Sequence, residues 1–262
     1  MRKLVIALLV LAGLLVAADF GAAAYAEYQV AERLRTEFSL TADPSVRING
    51  FPFITQALSG SYDDIDMRAG DLAVGPLRDV AVEASMYDVD APLDEVTSGS
   101  LSSVKIDEVE GRVRILDKDL GRAIGIEDLR IAEASDKEIE EALGSDTVSD
   151  SESDGRAAVR MIATTDLGGE RAEVIVVGLL ELADGAVSVT PTDVRLATDD
   201  VGEFSLPADF REPLLAAFST EVDPGGLPFT VTPTAVDVDD GAIVVEGTAR
   251  EVSFSQAGAG VG

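Results

Sequence analysis

The sequence predicts an α+β fold that is mainly β: an elongated antiparallel, barrel-like sheet with a few short helices and one N-terminal helix. Three observations predict it. Short apolar–polar alternations recur between residues 45 and 252. Turn pairs such as Asp184-Gly185 and Asp240-Gly241 separate several of them. Helical periodicity is confined to the N-terminus and a few brief stretches, so the strands pair mostly with near neighbours.

Arg2 and Lys3 precede an apolar run from Leu4 to Ala18, which Asp19 interrupts before Phe20-Gly21-Ala22-Ala23-Ala24-Tyr25-Ala26. Residues 1–26 fit a secretory signal peptide ending at Ala24-Tyr25-Ala26, or an uncleaved membrane anchor with Asp19 near the outer interface. Either way the body, residues 27–262, is expected outside the cytoplasmic membrane, anchored on its outer face or released into the envelope. Beyond the apolar run, Ala26, Val30, Leu34 and Phe38 recur every four residues opposite Glu27, Glu32, Arg33 and Arg35. This spacing predicts an amphipathic helix that continues the apolar segment and packs on the body.

Within the body, alternation marks strands at Val46–Ile48, Val80–Val89, Leu101–Ile106, Val109–Ile115, Ala157–Thr165, Ala172–Leu182, Val187–Leu196, Val231–Val238 and Ala242–Val252. Gly50-Phe51-Pro52-Phe53 and Gly226-Leu227-Pro228-Phe229 read as rigid apolar lead-ins to strands, with Phe51 and Phe53 on one side of an extended segment. Short helices are expected at Asp117–Ile124, capped by Asp117, at Lys137–Leu143, and at Ala208–Phe218 after Pro207. The acidic, serine-rich stretch 144–155 reads as a surface loop, and 256–262 as a glycine-rich tail. In Val174-Ile175-Val176-Val177-Gly178-Leu179-Leu180 both alternating faces are apolar, which requires cover on both sides, from a second sheet layer or from bound lipid.

Composition excludes several functions. Acidic residues number 49 against 20 basic ones, a formal net charge of −29, which argues against nucleic-acid partners. The chain has no Cys and no His, so it has no thiol nucleophile, no Ser-His-Asp triad and none of the usual zinc ligands. Phosphate-loop and dinucleotide fingerprints are missing too, and no cofactor or metal is expected. Carboxylate groups such as Asp63-Asp64-Asp66, Asp88-Asp90 and Asp237-Asp239-Asp240 leave a two-carboxylate hydrolase as one alternative.

Val46-Arg47-Ile48-Asn49-Gly50-Phe51-Pro52-Phe53-Ile54-Thr55-Gln56-Ala57-Leu58-Ser59-Gly60-Ser61-Tyr62 resembles the LmeA-type phospholipid-binding proteins of actinobacterial cell envelopes. The Gly-Phe-Pro-Phe-x-Thr-Gln core, with a Gly four residues on and a strand after it, carries the likeness. The resemblance implies an exported, non-enzymatic protein with a fold similar to the tubular lipid-binding proteins. It further implies a phospholipid, of the phosphatidylinositol type, held in an apolar groove in support of envelope glycolipid or mannan assembly. Lipid-contact candidates are Phe51, Pro52, Phe53, Leu58, Leu180, Phe204, Leu227 and Phe229. An envelope domain that binds only protein is the other alternative.

Overall fold

The computed structural model describes residues 2–37, 40–74, 77–92, 104–126, 128–143, 155–167, 170–183, 186–198, 202–222, 232–239 and 241–253. In chain order its elements are α1 (Arg2–Glu37), β1 (Ser45–Asn49), α2 (Phe53–Ser59), β2 (Ser61–Val74), β3 (Leu77–Asp90), β4 (Lys105–Leu116) and α3 (Asp117–Ile124). There follow β5 (Arg130–Glu133), α4 (Asp136–Leu143), β6 (Arg156–Leu167), β7 (Glu170–Ala183), β8 (Ala186–Thr198), β9 (Gly202–Ser205), α5 (Ala208–Phe218), β10 (Thr220–Val222), β11 (Thr232–Asp239) and β12 (Ala242–Ser253).

The strands form two antiparallel sheets. The first runs β1-β2-β3-β4-β12-β11, and the second runs β10-β8-β7-β6-β5 with β9 also paired to β8. The fold is mainly β, as the alternation predicts, but neither sheet closes into a barrel. The β1 edge lies against α1, whose Glu27 carboxylate accepts the Ile48 N–H at 2.8 Å and so occupies one of the donors of that edge.

Helix α1 has two halves of different character. From Leu4 to Val16 its large apolar side chains are all 41–73% exposed, so no side of that segment is packed. From Asp19 onward one face is covered: Ala22, Ala23 and Ala26 pack on the body and Ala31 is buried. Val30 and Leu34 lie half-buried on the same face, as the four-residue spacing predicts, while Phe38 lies outside the described residues.

Among the described residues, two hydrophobic cores hold the body together. The larger one packs the β11–β12 end of the first sheet against the second sheet, through residues such as Val236, Ile243, Val159, Val176 and Leu180. The apolar strand β7 therefore gets one of its covers from a second sheet layer. Its other face, with Ile175 and Val177 buried, lies beside α4. The smaller core joins α2 to the opposite end of the first sheet through Phe53, Tyr62, Val89, Ile106, Val109 and Ala249.

Several local expectations are corrected. Phe53 opens a helix rather than a strand, because Pro52 serves as its N-cap and Gly60 ends it in the left-handed conformation. Phe51 and Phe53 consequently diverge, one exposed and the other buried. Asp117 does not cap α3, whose N-cap is Leu116. The structural carboxylate there is Asp119, fully buried, which accepts the Arg78 N–H and pairs with Arg122 at 2.9 Å. The two expected strands Leu101–Ile106 and Val109–Ile115 are joined in one strand, β4, with 101–103 outside the described residues. The 144–154 stretch, the 256–262 tail and the Asp184-Gly185 turn also lie outside them.

Candidate functional site

The Gly50-Phe51-Pro52-Phe53 motif builds a corner where α1, α2, β1 and β2 meet. Gly50 has φ +98°, and a Cβ on it would lie 2.5 Å from the Gln56 Nε2, so no other residue fits without displacement. That buried amide donates to the Asn49 carbonyl at 3.1 Å and accepts the Asp63 N–H at 3.2 Å, tying α2 to both neighbouring strands. The Thr55 hydroxyl donates to the Pro52 carbonyl at 2.8 Å. Phe53 lies against Tyr62, ring centroids 6.4 Å apart, and burial pushes the Tyr62 hydroxyl pKa up.

The cap of α2 comes from another helix. Pro52 has no side chain able to accept, and Asp19 supplies the missing acceptor by taking the N–H groups of Phe53 at 2.9 Å and Ile54 at 2.8 Å. Asp19 is thereby 5% exposed within an otherwise apolar stretch. Its two oxygens each take one of the leading N–H groups of α2. The corner also has an outer surface: Phe20 and Phe51 stack at 6.0 Å, and Ile54 and Leu58 are exposed beside them.

Along the first sheet, strand register sorts side chains into rows, since paired residues share a face. Ile65, Met86, Val109 and Ala249 form one row. Ala69, Val82, Val113, Val245 and Val236 form another. Between them run Met67, Ala84, Gly111 and Gly247, where three of the four side chains are a methyl group or less. This small-residue row makes a furrow in an apolar face, at the seam between the two cores. Among the described residues, a Cβ added at Gly111 would find only the Gly247 carbonyl within 4 Å, at 3.8 Å, so the space above Gly111 is open, while Gly247 at the β12 end of the row is buried. The opposite face of the same sheet is charged, with ion pairs such as Arg112–Glu246 and Arg68–Glu83.

The profile of the LmeA-like phospholipid-binding proteins matches residues 17–248. The chain belongs to this family. The LmeA-like match begins two residues before Asp19, so it takes in the packed half of α1 and leaves most of the exposed apolar half outside. No curated protein and no solved structure matches the chain. Membership makes phospholipid binding the shared property, and the family is a lipid-binding one rather than an enzyme family.

The structure brings four of the lipid-contact candidates together. Phe51, Pro52, Phe53 and Leu58 sit at the α2 corner, with Phe53 turned into the smaller core and Phe51 and Leu58 turned outward. Leu180 is fully buried in the larger core. Phe204 lies on β9 of the second sheet, paired with Leu196. Leu227 and Phe229 lie outside the described residues. The furrow residues Met67, Ala84 and Gly111 were not among the candidates. Their signal is faint: a Gly within the alternation Val109–Ile115, meaningful only once the strands are in register.

Two carboxylates of β2, Asp64 and Asp66, take structural hydrogen bonds. The Asn49 amide donates to Asp64 at 3.0 Å and to Asp66 at 2.9 Å, and the Ser85 hydroxyl donates to Asp66 at 2.8 Å. Those hydrogen bonds from Asn49 and Ser85 hold the Asp66 pKa below its usual value. A general acid of the glycosidase kind needs the opposite shift.

Proposed function

We propose that the chain is an exported envelope protein that holds a phospholipid with its acyl portion along the furrow of the first sheet. The observation that carries this reading is the small-residue row Ala84-Gly111-Gly247, open above Gly111 and flanked by apolar rows, in a chain of the LmeA-like family. An extended hydrocarbon laid on such a surface gains burial without any polar group having to be left unpaired. The headgroup is of the phosphatidylinositol type, and the lipid serves envelope glycolipid or mannan assembly.

In this reading α1 is retained as a membrane anchor. Cleavage after Ala26 would remove Asp19, and with it the cap of α2, together with the Ala22, Ala23 and Ala26 contacts to the smaller core. The family match beginning at residue 17 supports treating this segment as part of the domain.

The experiment is mass spectrometry of lipids extracted from the full chain after gentle purification, with uptake from phosphatidylinositol-containing vesicles as a second measurement. Recovery of phospholipid near one per chain is expected. Repeated recovery of none, together with no uptake, would overturn the reading.

A further inference from the structure

Among the described residues nothing covers the exposed side of the α2 corner, and its position along α1 says what does. The described residues contain one helix long and apolar enough to cross a membrane, and that helix is α1. Its exposed run Leu4–Ala18 is about 22 Å long, and continuing to Ala24 brings it to the roughly 30 Å of a hydrocarbon layer. The α2 corner joins α1 within that reach. Asp19 caps α2, and Phe51 stacks on Phe20. The next tie between α1 and the body, Glu27 to Ile48, lies about 12 Å further along the helix axis. The corner is thus the part of the domain nearest to the apolar end of α1.

Its chemistry matches that position. Phe51, Ile54 and Leu58 are 60%, 41% and 74% exposed. Phe20, Tyr25 and Tyr28 are exposed on the adjoining turns of α1, as in the aromatic girdles that flank membrane spans. From Ile48 to Tyr62 there is no Asp, Glu, Lys or Arg, in a chain where 26% of residues are of those types. A strongly acidic body therefore presents an uncharged, apolar corner at the single place where its apolar helix leaves it.

We propose that the α2 corner docks into the outer interfacial layer of the bilayer that α1 spans, with Phe51, Ile54 and Leu58 among the lipid headgroups and upper acyl chains. Asp19 is the clamp that fixes the corner to the helix at that depth. The carboxylate is tolerated there because α2's own N–H groups replace water around it. Docking sets the furrow at a defined height, since Met67 lies six residues beyond Ser61 along β2, about 20 Å from the corner. The proposal rests on the membrane attachment inferred above but does not require the furrow to carry lipid.

The chain has no Cys, so single cysteines can carry a nitroxide without background. The full chain is reconstituted in vesicles of equal parts phosphatidylcholine and phosphatidylglycerol, with labels at Phe51→Cys, Leu58→Cys, Leu11→Cys and Glu83→Cys. Each label's collision rate with dissolved oxygen is compared with that for a water-soluble nickel chelate. Labels at Phe51 and Leu58 are expected to favour oxygen several-fold more than the label at Glu83, and less than the label at Leu11. Values at Phe51 and Leu58 equal to that at Glu83 would overturn the docking proposal, whether or not Leu11 is in lipid. Lipid content, measured on the same samples, separates this outcome from a failure of lipid binding. As a second variant, Phe51→Ser combined with Leu58→Ser removes apolar groups that pack on no core; it is expected to keep the melting temperature and lose interfacial protection at an Ile54→Cys label.

Discussion

Asp19 and Phe53 are 34 positions apart, yet the carboxylate of the first accepts the backbone N–H of the second at 2.9 Å. The same carboxylate takes the Ile54 N–H, so a residue in the middle of an apolar helix serves as N-cap of another helix. Removing a capping side chain typically costs about 1–2 kcal/mol. Asp19→Ala is therefore expected to speed amide exchange at Phe53 and Ile54 by about tenfold, while Asp19→Asn, a comparable cap, has a smaller effect. Unchanged exchange in Asp19→Ala would show that the contact is incidental.

Retention of α1 leads to a second expectation, read by intact mass. The protein isolated from cells should carry the N-terminal segment through Asp19. A mature form beginning at Glu27 would contradict the structural role of that carboxylate.

Phe53 and Phe51 separate cleanly on truncation. Phe53 is buried against Tyr62, so Phe53→Ala is expected to cost about 3–5 kcal/mol through lost burial and the cavity left behind. Phe51→Ala removes an exposed ring and should leave the melting temperature within a degree or so of the parent. Equal destabilisation by the two would show that the motif is core throughout.

Gly111→Val addresses the furrow. The new side chain enters open space, and a β-branched residue suits a strand better than glycine does. Thermal stability is expected to hold or rise slightly, while phospholipid recovered per chain falls by half or more. Normal lipid content in a well-folded Gly111→Val protein would move the lipid elsewhere.

Much of this was legible in the sequence. Eight of the described strands come from plain alternation, and α1 and α5 from periodicity and Pro207. The long strand β2 was seen only at its start, because Asp71, at φ 55°, and two register shifts between Ala69 and Val74 break the period of two. The role of Asp19 was hidden for a different reason: its partners are backbone groups in a helix that does not exist until the corner folds. The furrow was hidden because rows of side chains are properties of register, and register between β4 and β12 joins residues more than a hundred positions apart.

The second sheet has its own acid-sensitive point. Glu138, almost fully buried, accepts from the Ser135 N–H at 2.9 Å and hydroxyl at 2.8 Å, and pairs with Arg160 and Arg195. Burial alone would raise its pKa, but the Ser135 hydrogen bonds and the two guanidinium groups outweigh burial and hold it below the ordinary glutamate value. A depressed folded-state pKa gives stability that is present above the unfolded value and lost as pH falls through the folded one. Glu138→Gln should therefore lower stability by about 2 kcal/mol at neutral pH, with the gap to the parent closing in strongly acid solution. Denaturant titrations across that range test it, and a gap that stays constant with pH would sink the assignment.

Arg112 on β4 pairs with Glu246 on β12, 134 positions later, and residues 117 to 241 are synthesised between those two strands. The first sheet therefore cannot be finished until β12 has been made. Until then β4 presents a bare row of backbone donors and acceptors, beside β3, to any strand that arrives first. Bringing such distant partners together carries a loop-closure penalty and places the protein among slow folders. A chain interrupted anywhere before residue 242 keeps that edge permanently open, and two such chains offer each other what β12 would have supplied.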